Sequence, residues 1–307
     1  MSNEQEFGKI VIYGIGLIGG SFALALKSAG AAGEVVGFGR HPGRLAEALE
    51  RGLIDRVGHD PAREIADADL VFVATPVGQM PAIFAQIAPH LSPRTLVTDG
   101  GSTKVDVVRA ARAAFGEKIG QFVPAHPIAG AERSGAAAAM ADLYQGRKVV
   151  ITPLAENPAE RLARIERAWR LCGAEIRALS PEQHDRVFAA VSHLPHLLAF
   201  ALVRDLAERP DAELFFDFAA SGFRDFTRIA ASHPEMWRDI CLANREALLL
   251  EIETYQKQLL DFKTVLEQND GKALEKRFAV ARKARQEWGA GDRRQRTERP
   301  LRGLCSQ

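Results

Sequence analysis

One stretch near the amino terminus constrains this chain more than any other. Lys9 to Tyr13 (KIVIY) is a short β-rich run that passes directly into Gly14-Ile15-Gly16-Leu17-Ile18-Gly19-Gly20-Ser21 and then into FALALKSAG, which reads as helix. This is the spacing GxGxxG with a strand before it and a helix after it, the context in which the pattern binds dinucleotides. Gly14 permits the tight turn, Gly16 lets the backbone approach a pyrophosphate, and Gly19 allows close helix–strand packing. The helix amino terminus offers free N–H groups and its positive dipole end to the phosphates. Ile15, Leu17 and Ile18, on the same turn, are cofactor candidates with the glycines. The competing reading is a glycine-rich turn without a ligand.

The second strand, Glu34 to Phe38, bears on which dinucleotide is used. NAD sites usually carry an acid at the end of this strand to hold the ribose hydroxyls. Here the chain continues Gly39-Arg40-His41-Pro42-Gly43-Arg44, without an acid. Gly39 leaves room, and Arg40 is suited to a 2′-phosphate through a charge-assisted fork. NADP is therefore favoured and NAD remains possible, with Arg40 then a solvated loop cation.

Strands and helices keep alternating. Asp69 to Thr75 (DLVFVAT) is a nearly continuous apolar run, as a buried parallel strand needs. Thr75 and Pro76 close it at the cofactor edge, and Met80 to Leu91 reads as helix. Thr95 to Thr98 is the next strand, followed by Asp99-Gly100-Gly101-Ser102-Thr103-Lys104 and the helical VDVVRAARAAF. Ser102 is placed as the N-cap of that helix, as a catalytic hydroxyl, or as both. Phe122 to Glu132 (FVPAHPIAGAE) then puts His126 at the carboxyl end of a short apolar strand, where open α/β sheets bind ligands. Glu132 to Gln145 is alanine-rich and predicts a helix. Lys148 to Pro153 predicts a strand, Ala159 to Cys172 a helix, and Ala174 to Leu179 an edge strand. The expectation is a Rossmann-like, doubly wound parallel sheet over residues 1–179.

From Ser180 the β-rich runs stop, and residues 180–288 predict an all-α domain for substrate binding and dimerisation. Ser180-Pro181-Glu182-Gln183 combines an N-cap, proline at the first helical position and a capping-box glutamine. His193 and His196 follow on one helical face, with Pro195 disturbing the ladder between them. They read as substrate or cofactor contacts, as satisfied core histidines or, least well supported, as metal ligands. Phe215 to Ala231 interleaves aromatics with Arg224, Asp225 and Arg228. An arginine there is a natural carboxylate clamp, or it pairs internally with Asp217 or Asp225. From Pro234 a long helix carries Cys241, Leu248, Ile252, Tyr255, Leu259, Phe262 and Leu266 as a sustained seam, which predicts a helix-mediated homodimer. Asn269-Asp270-Gly271 breaks that helix. Residues 289–307, arginine-rich and without periodicity, predict a disordered tail.

Composition excludes more than it selects. Lysine and arginine (40) nearly cancel aspartate and glutamate (39), so charge gives no case for nucleic acid or an acidic membrane. The first residues lack the form of a signal peptide, and no uninterrupted apolar run approaches the ~20 residues of a membrane span. Three scattered cysteines suit neither a disulfide frame nor a zinc site. A cytoplasmic protein is expected.

These motifs together resemble the prephenate/arogenate (cyclohexadienyl) dehydrogenase family, TyrA. The matching stretches are GIGLIGGS at 14–21, DGGSTK at 99–104, HPIAGAERSG at 126–135, SHLPH at 192–196 and GFRDFTRIAASHPEMWRDI at 222–240. The resemblance runs to about Trp288. It implies oxidative decarboxylation of prephenate or arogenate with hydride transfer to NAD(P)+, giving 4-hydroxyphenylpyruvate or tyrosine. On that resemblance His126 matches the histidine that accepts the proton of the C4 hydroxyl, and Ser102 the serine beside it. Arg228 matches the arginine for a substrate carboxylate, and His196 with its neighbour His193 line the pocket. Glu132 resembles a gate residue, and Asp225 and Trp237 line the same region. The absent acid after the second strand departs from the NAD-using pattern. No chorismate mutase or ACT-type segment accompanies the match, so any tyrosine feedback is expected at the active site itself. Two other readings remain: a β-hydroxyacid dehydrogenase of related architecture, which would centre on a lysine, and a non-catalytic NADP sensor, which would need neither His126 nor Arg228.

Overall fold

The computed structural model describes residues 5–130 and 135–297, with side chains as far as residue 289. By compactness the chain divides into two units, Met1–Leu249 and Leu250–Gln307.

In the first unit β1 (Phe7–Tyr13), α1 (Leu17–Ser28), β2 (Ala32–Phe38), α2 (Pro42–Glu50), β3 (Arg56–Val57), α3 (Pro61–Ala66), β4 (Leu70–Val73), α4 (Met80–Ile87), β5 (Leu96–Asp99), α5 (Val105–Phe115) and β6 (Phe122–Val123) follow in turn. The six strands pair wholly in parallel, in the order β3-β2-β1-β4-β5-β6. The order reverses between β1 and β4, which makes the space beyond their carboxyl ends the crevice where such sheets bind ligands. β4 and β5 are buried along their whole length because both faces are covered. On one face Phe22, Phe72, Tyr144 and Trp169 meet with ring centroids 4.5 to 5.6 Å apart. On the other, Phe84, Phe115 and Phe122 lie 5.2 to 5.9 Å apart. Truncating one such ring to alanine costs about 3–5 kcal/mol, so these two clusters hold the sheet rigid under the site.

The run FVPAHP is not one strand. Pro124 has no N–H to continue a ladder, so β6 ends at Val123. β7 (Ala125–Pro127) opens a second sheet, antiparallel to β8 (Lys148–Ile151), while α6 (Ala159–Leu171) leads to β9 (Glu175–Ala178), parallel to β8. The doubly wound sheet therefore stops at β6 instead of running to residue 179, and His126 sits inside β7 opposite Val150 rather than at a strand end. The helix expected over Glu132 to Gln145 is also corrected. Beyond the undescribed residues 131–134, only a 3₁₀ turn at Ala136–Ala138 forms. Gly135 has φ of +94°, the Met140 N–H donates to Ser21 Oγ (3.0 Å), and the Tyr144 hydroxyl donates to the Ile18 carbonyl (2.6 Å). Anchoring to α1 outweighs the helix propensity of alanine, which is a weak prior.

α7 (Pro181–Phe188) begins with the expected capping box: Ser180 Oγ accepts from the Gln183 N–H, and Gln183 Oε1 accepts from the Ser180 N–H, both at 3.1 Å. A π turn, Ala189–His193, joins it to α8 (Leu194–Ala207). Pro195 cannot donate to Val191, and the ladder widens just before it. The stretch Pro181–Ala207 is long and apolar enough, by length and composition alone, to cross a membrane. It carries His184, Asp185 and His193, each hydrogen-bonded within the protein. α9 (Ala212–Asp217), α10 (Ser221–Thr227), a 3₁₀ turn at Arg228–Ala231 and α11 (Pro234–Ala243) follow. The long helix expected from Pro234 is interrupted at Asn244, whose side chain bonds elsewhere, and resumes as α12 (Arg245–Glu267).

In the second unit the expected break falls at Asn269, with φ of +52°. α13 (Gly271–Thr297) then stacks Phe278 on Phe262 (5.8 Å) and pairs Arg277 with Asp261 (2.5 Å). The helix continues to Thr297, which corrects the disordered tail expected from residue 289; residues 298–307 lie outside the described residues. Glutamine, glutamate and arginine are good helix formers, and they carry the helix past Gly289 and Gly291 at about 1 kcal/mol each.

Candidate active site

The crevice between β1 and β4 has the form of a dinucleotide cradle. Gly14 takes φ of +92° and donates its N–H to the Phe38 carbonyl (2.9 Å). A Cβ there would stand 2.7 Å from the Ala74 carbonyl oxygen, and one on Gly19 would stand 2.1 Å from that of Gly14. A side chain on Gly14 would push its turn away from the end of β4, and one on Gly19 would push α1 away from the turn that precedes it. Gly16 has open space where its Cβ would be, so the start of α1 is uncovered, and no acid in the first turn offsets its positive end. Ile15 is buried, while Leu17 and Ile18 are half-buried on the same turn. Thr75, followed by Pro76, faces Gly14, and its Oγ1 is buried without a hydrogen-bond partner. An orphaned hydroxyl here is what a ligand's polar group would satisfy. At the end of β2, Phe38 stacks on Tyr13 (4.8 Å, 9° between planes), and Gly39 and Arg40 are exposed. The neighbouring acids are engaged: Glu34 with Arg56 (2.6 Å), and Asp55 with the Val35 N–H (2.7 Å) and Lys27 (2.8 Å).

His126 is brought to this edge by β7. Asp99, at the end of β5, accepts from the Ala125 N–H (3.1 Å), the Gly101 N–H (2.8 Å) and Lys104 Nζ (2.6 Å). The ion pair with Lys104 is wholly buried. His126 Nδ1 lies 2.8 Å from His184 Nε2, and His184 Nδ1 lies 2.7 Å from Asp185 Oδ1. Phe188 packs on both rings, with centroids 4.8 Å from His126 and 4.4 Å from His184. Burial above all, then His184, Lys104 and His193, hold His126 well below the usual imidazole range. His184 is pushed down to about 2 by burial, then Lys104 and His193. Both rings are neutral at ordinary pH.

The expected N-cap role of Ser102 is not what the structure shows. α5 starts at Val105, and its cap comes from a residue far along the chain: Asp185 accepts from the N–H groups of Lys104 (2.8 Å) and Val105 (2.9 Å). Ser102 is half-buried in the preceding loop, and its backbone carbonyl lies beside His193. The Asn244 amide nitrogen reaches both the Asp185 carbonyl (2.7 Å) and His193 Nδ1 (3.0 Å). His193 is lowered to about 4, mainly by burial, with Asp185 acting in the opposite sense.

His196 donates from Nδ1 to the Ser192 carbonyl (2.9 Å) and lies flat against Trp237, with ring centroids 3.7 Å apart. Burial lowers its pKa, the Ser192 carbonyl opposes this, and the charge of Arg228 adds to the lowering, which places Arg228 within electrostatic reach of that ring. Asp225 and Arg228 are exposed, on α10 and the 3₁₀ turn after it. Glu132 lies outside the described residues. The structure thus brings together His126, Ser102, His193, His196, Trp237 and the charge of Arg228. It adds His184, Asp185, Asn244, Asp99 and Lys104, which sequence reasoning did not single out. The available signal was His184 and Phe188, four apart on a capped amphipathic helix. Among the described residues no three His, Cys, Asp or Glu side chains group as a metal site.

Known proteins match this architecture along nearly its full length. The nucleotide-binding domain of prephenate dehydrogenase matches residues 22–178, and its dimerization domain residues 180–280. The chain is 36% identical over 281 residues to the cyclohexadienyl dehydrogenase of Zymomonas mobilis, covering 91% of this chain and 95% of the relative. It is similar to the prephenate dehydrogenase of Aquifex aeolicus in complex with hydroxyphenyl propionate and NAD+, with a TM-score of 0.85 and 36% identity over 92% of this chain and 98% of the other. The arogenate dehydrogenase of Synechocystis matches with a TM-score of 0.77 and 29% identity, over 91% and 99%. A cradle for a dinucleotide, a buried histidine at its edge and both family domains in order lead to one conclusion: the chain belongs to the prephenate dehydrogenase family of NAD(P)-linked oxidoreductases.

Proposed function

We propose that this chain oxidises and decarboxylates prephenate, arogenate or both in tyrosine biosynthesis, with His126 as the acceptor of the C4 hydroxyl proton. The observation that carries the reading is the state of His126. It is a buried, neutral imidazole whose Nδ1 is taken by His184, which leaves Nε2 for a ligand. A neutral imidazole accepts a proton, and the carboxylates of the substrate favour the imidazolium that results.

The C4 hydroxyl hydrogen-bonds to His126 Nε2, and as the proton moves, electron density enters the C4–O bond and weakens C4–H. The nicotinamide, when bound, supplies the hydride acceptor. Departure of the ring carboxylate as CO2 leaves its electron pair in the ring, which becomes aromatic. Arg228 holds a substrate carboxylate, and Trp237, stacked on His196, closes the pocket against water. Ser102 hydrogen-bonds beside His126.

The uncovered Gly39 and Arg40 at the end of β2, with Glu34 and Asp55 engaged elsewhere, favour NADP over NAD. Leu249, Leu250, Leu259, Leu260 and Leu266 are exposed on α12, and a second copy of the chain covers them in a homodimer. A cytoplasmic location fits this chemistry.

Reduced nicotinamide is measured by its absorbance with prephenate, then arogenate, and with each cofactor in turn. Turnover with at least one pair is expected, and none with any pair would overturn the reading. His126→Asn should lower kcat by roughly 10²–10⁴ with little loss of binding, and Arg228→Ala should act mainly on KM. A fully active His126→Asn enzyme contradicts the base assignment.

A further inference from the structure

Which nitrogen of His126 carries its proton can be read from the residues behind its ring. Asp185 is surrounded by donors: the Lys104 N–H on Oδ1, the Val105 N–H on Oδ2, and the His184 ring on Oδ1. It also faces the positive end of α5 and the buried ammonium of Lys104. Burial raises its pKa, while these N–H groups and Lys104 act against that rise. The ionised form alone accepts from all three donors at once.

A carboxylate only accepts, so the proton between it and His184 belongs to His184 Nδ1. A neutral imidazole has one ring proton, and His184 Nε2 is therefore a lone pair. It lies 2.8 Å from His126 Nδ1, which must then be the donor. His126 in turn has its lone pair on Nε2. Phe188, against both rings, opposes the ring flips that would undo this order.

We propose that Asp185 and His184 are positioning residues that lock His126 in the Nδ1–H form and so present Nε2 to the C4 hydroxyl. The proposal rests on the reading of His126 as the base. When the hydroxyl proton reaches Nε2, the bond from Nδ1–H to His184 becomes charge-assisted, and the Asp185 charge behind it stabilises the imidazolium. Loss of CO2 leaves the electron pair on the C4 oxygen as a phenolate, and the His126 imidazolium returns the proton to it, so the product leaves as a phenol and the chain of residues ends the cycle as it began. The charged and titratable groups facing His126 are His184, Lys104 and His193, and Asp185 acts through His184.

The test uses the full chain with ¹⁵N-labelled histidine, the His126 signals being assigned by their loss in His126→Asn. In the wild type His126 should show a protonated Nδ1 and an unprotonated Nε2. His184→Leu should mix the two forms and lower kcat by roughly 10²-fold at nearly unchanged KM. His184→Gln, whose amide oxygen can accept from Nδ1–H, should recover to within about tenfold of wild type. A wild-type His126 protonated on Nε2, or a His184→Leu enzyme with normal kcat, overturns the proposal. If His184→Leu does not fold, the wild-type spectrum and His184→Gln decide it. An inactive His126→Asn beside an active His184→Leu would remove the positioning role alone, and an active His126→Asn would remove the base itself.

Discussion

Acid should destabilise the first unit steeply between about pH 7 and pH 5. His126, His184 and His193 are 9%, 0% and 1% exposed, and all three are held neutral. Burial is the largest cause in each case, taking His184 to about 2 and His193 to about 4, with His126 also far below its ordinary range. In the unfolded chain each returns to about 6.5. A folded pKa below the unfolded one means that the unfolded chain binds more protons in the interval between them. Stability is therefore fully present above about pH 6.5 and is lost as the pH falls below it. One proton of difference is worth about 1.4 kcal/mol per pH unit, so His184 and His193 each give up about 2 kcal/mol between pH 6.5 and 5. The two together give up on the order of 4 kcal/mol, with His126 acting in the same direction, against a usual total of roughly 5–15 kcal/mol. Burial raises Asp99 and Asp185, which act in the opposite sense and make this an upper figure. Urea unfolding followed by tryptophan fluorescence, at one protein concentration and a series of pH values, measures the slope. His193→Asn should reduce it by about one proton. A wild-type stability constant to within about 1 kcal/mol over this range would refute the reasoning.

The cofactor and the assembly give two further tests. If Arg40 reads a 2′-phosphate, Arg40→Asp should shift the ratio of kcat/KM for NADP to that for NAD by about 10²-fold toward NAD, and a wild-type enzyme that strongly prefers NAD would sink the idea. Light scattering at micromolar concentration should give a dimer, with Leu260→Glu shifting it toward monomer; a wild-type monomer contradicts the apolar seam as an interface.

The sequence made the first half legible because a parallel strand covered on both faces reads as an unbroken apolar run, as DLVFVAT does. The helix starts and stops that rest on local chemistry, Ser180 with Gln183 and the turn at Asn269, are also where the sequence places them. What escaped is tertiary. The cap of α5 comes from Asp185, eighty residues on from Val105, so a local reading credits Ser102 instead. Asn244 interrupts the long helix because its amide answers two groups on the other helical segment. Alanine at 136–139 predicts helix, and bonds from Met140 and Tyr144 to α1 decide otherwise.

The placing of His126 at a strand end reached the right edge of the molecule for an incomplete reason. An end position would leave the ring on a loop, free to drift by the ångström or so that costs a reaction its alignment. Pro124 instead ends one sheet and lets the next begin, so the His126 backbone is held opposite Val150. What joins the two sheets at this point is Asp99, which takes the Ala125 N–H on one oxygen and the Gly101 N–H and Lys104 on the other. The aspartate and lysine of DGGSTK thus bracket Ser102 and fix its loop to the strand that carries His126. Removing one partner of a wholly buried pair leaves a charge uncompensated, a penalty of about 3–5 kcal/mol that pairing avoids. His126 and the Ser102 loop therefore owe their mutual position to an ion pair that is wholly buried. The strand break at Pro124 and the clamp at Asp99 together hold the His126 backbone in place.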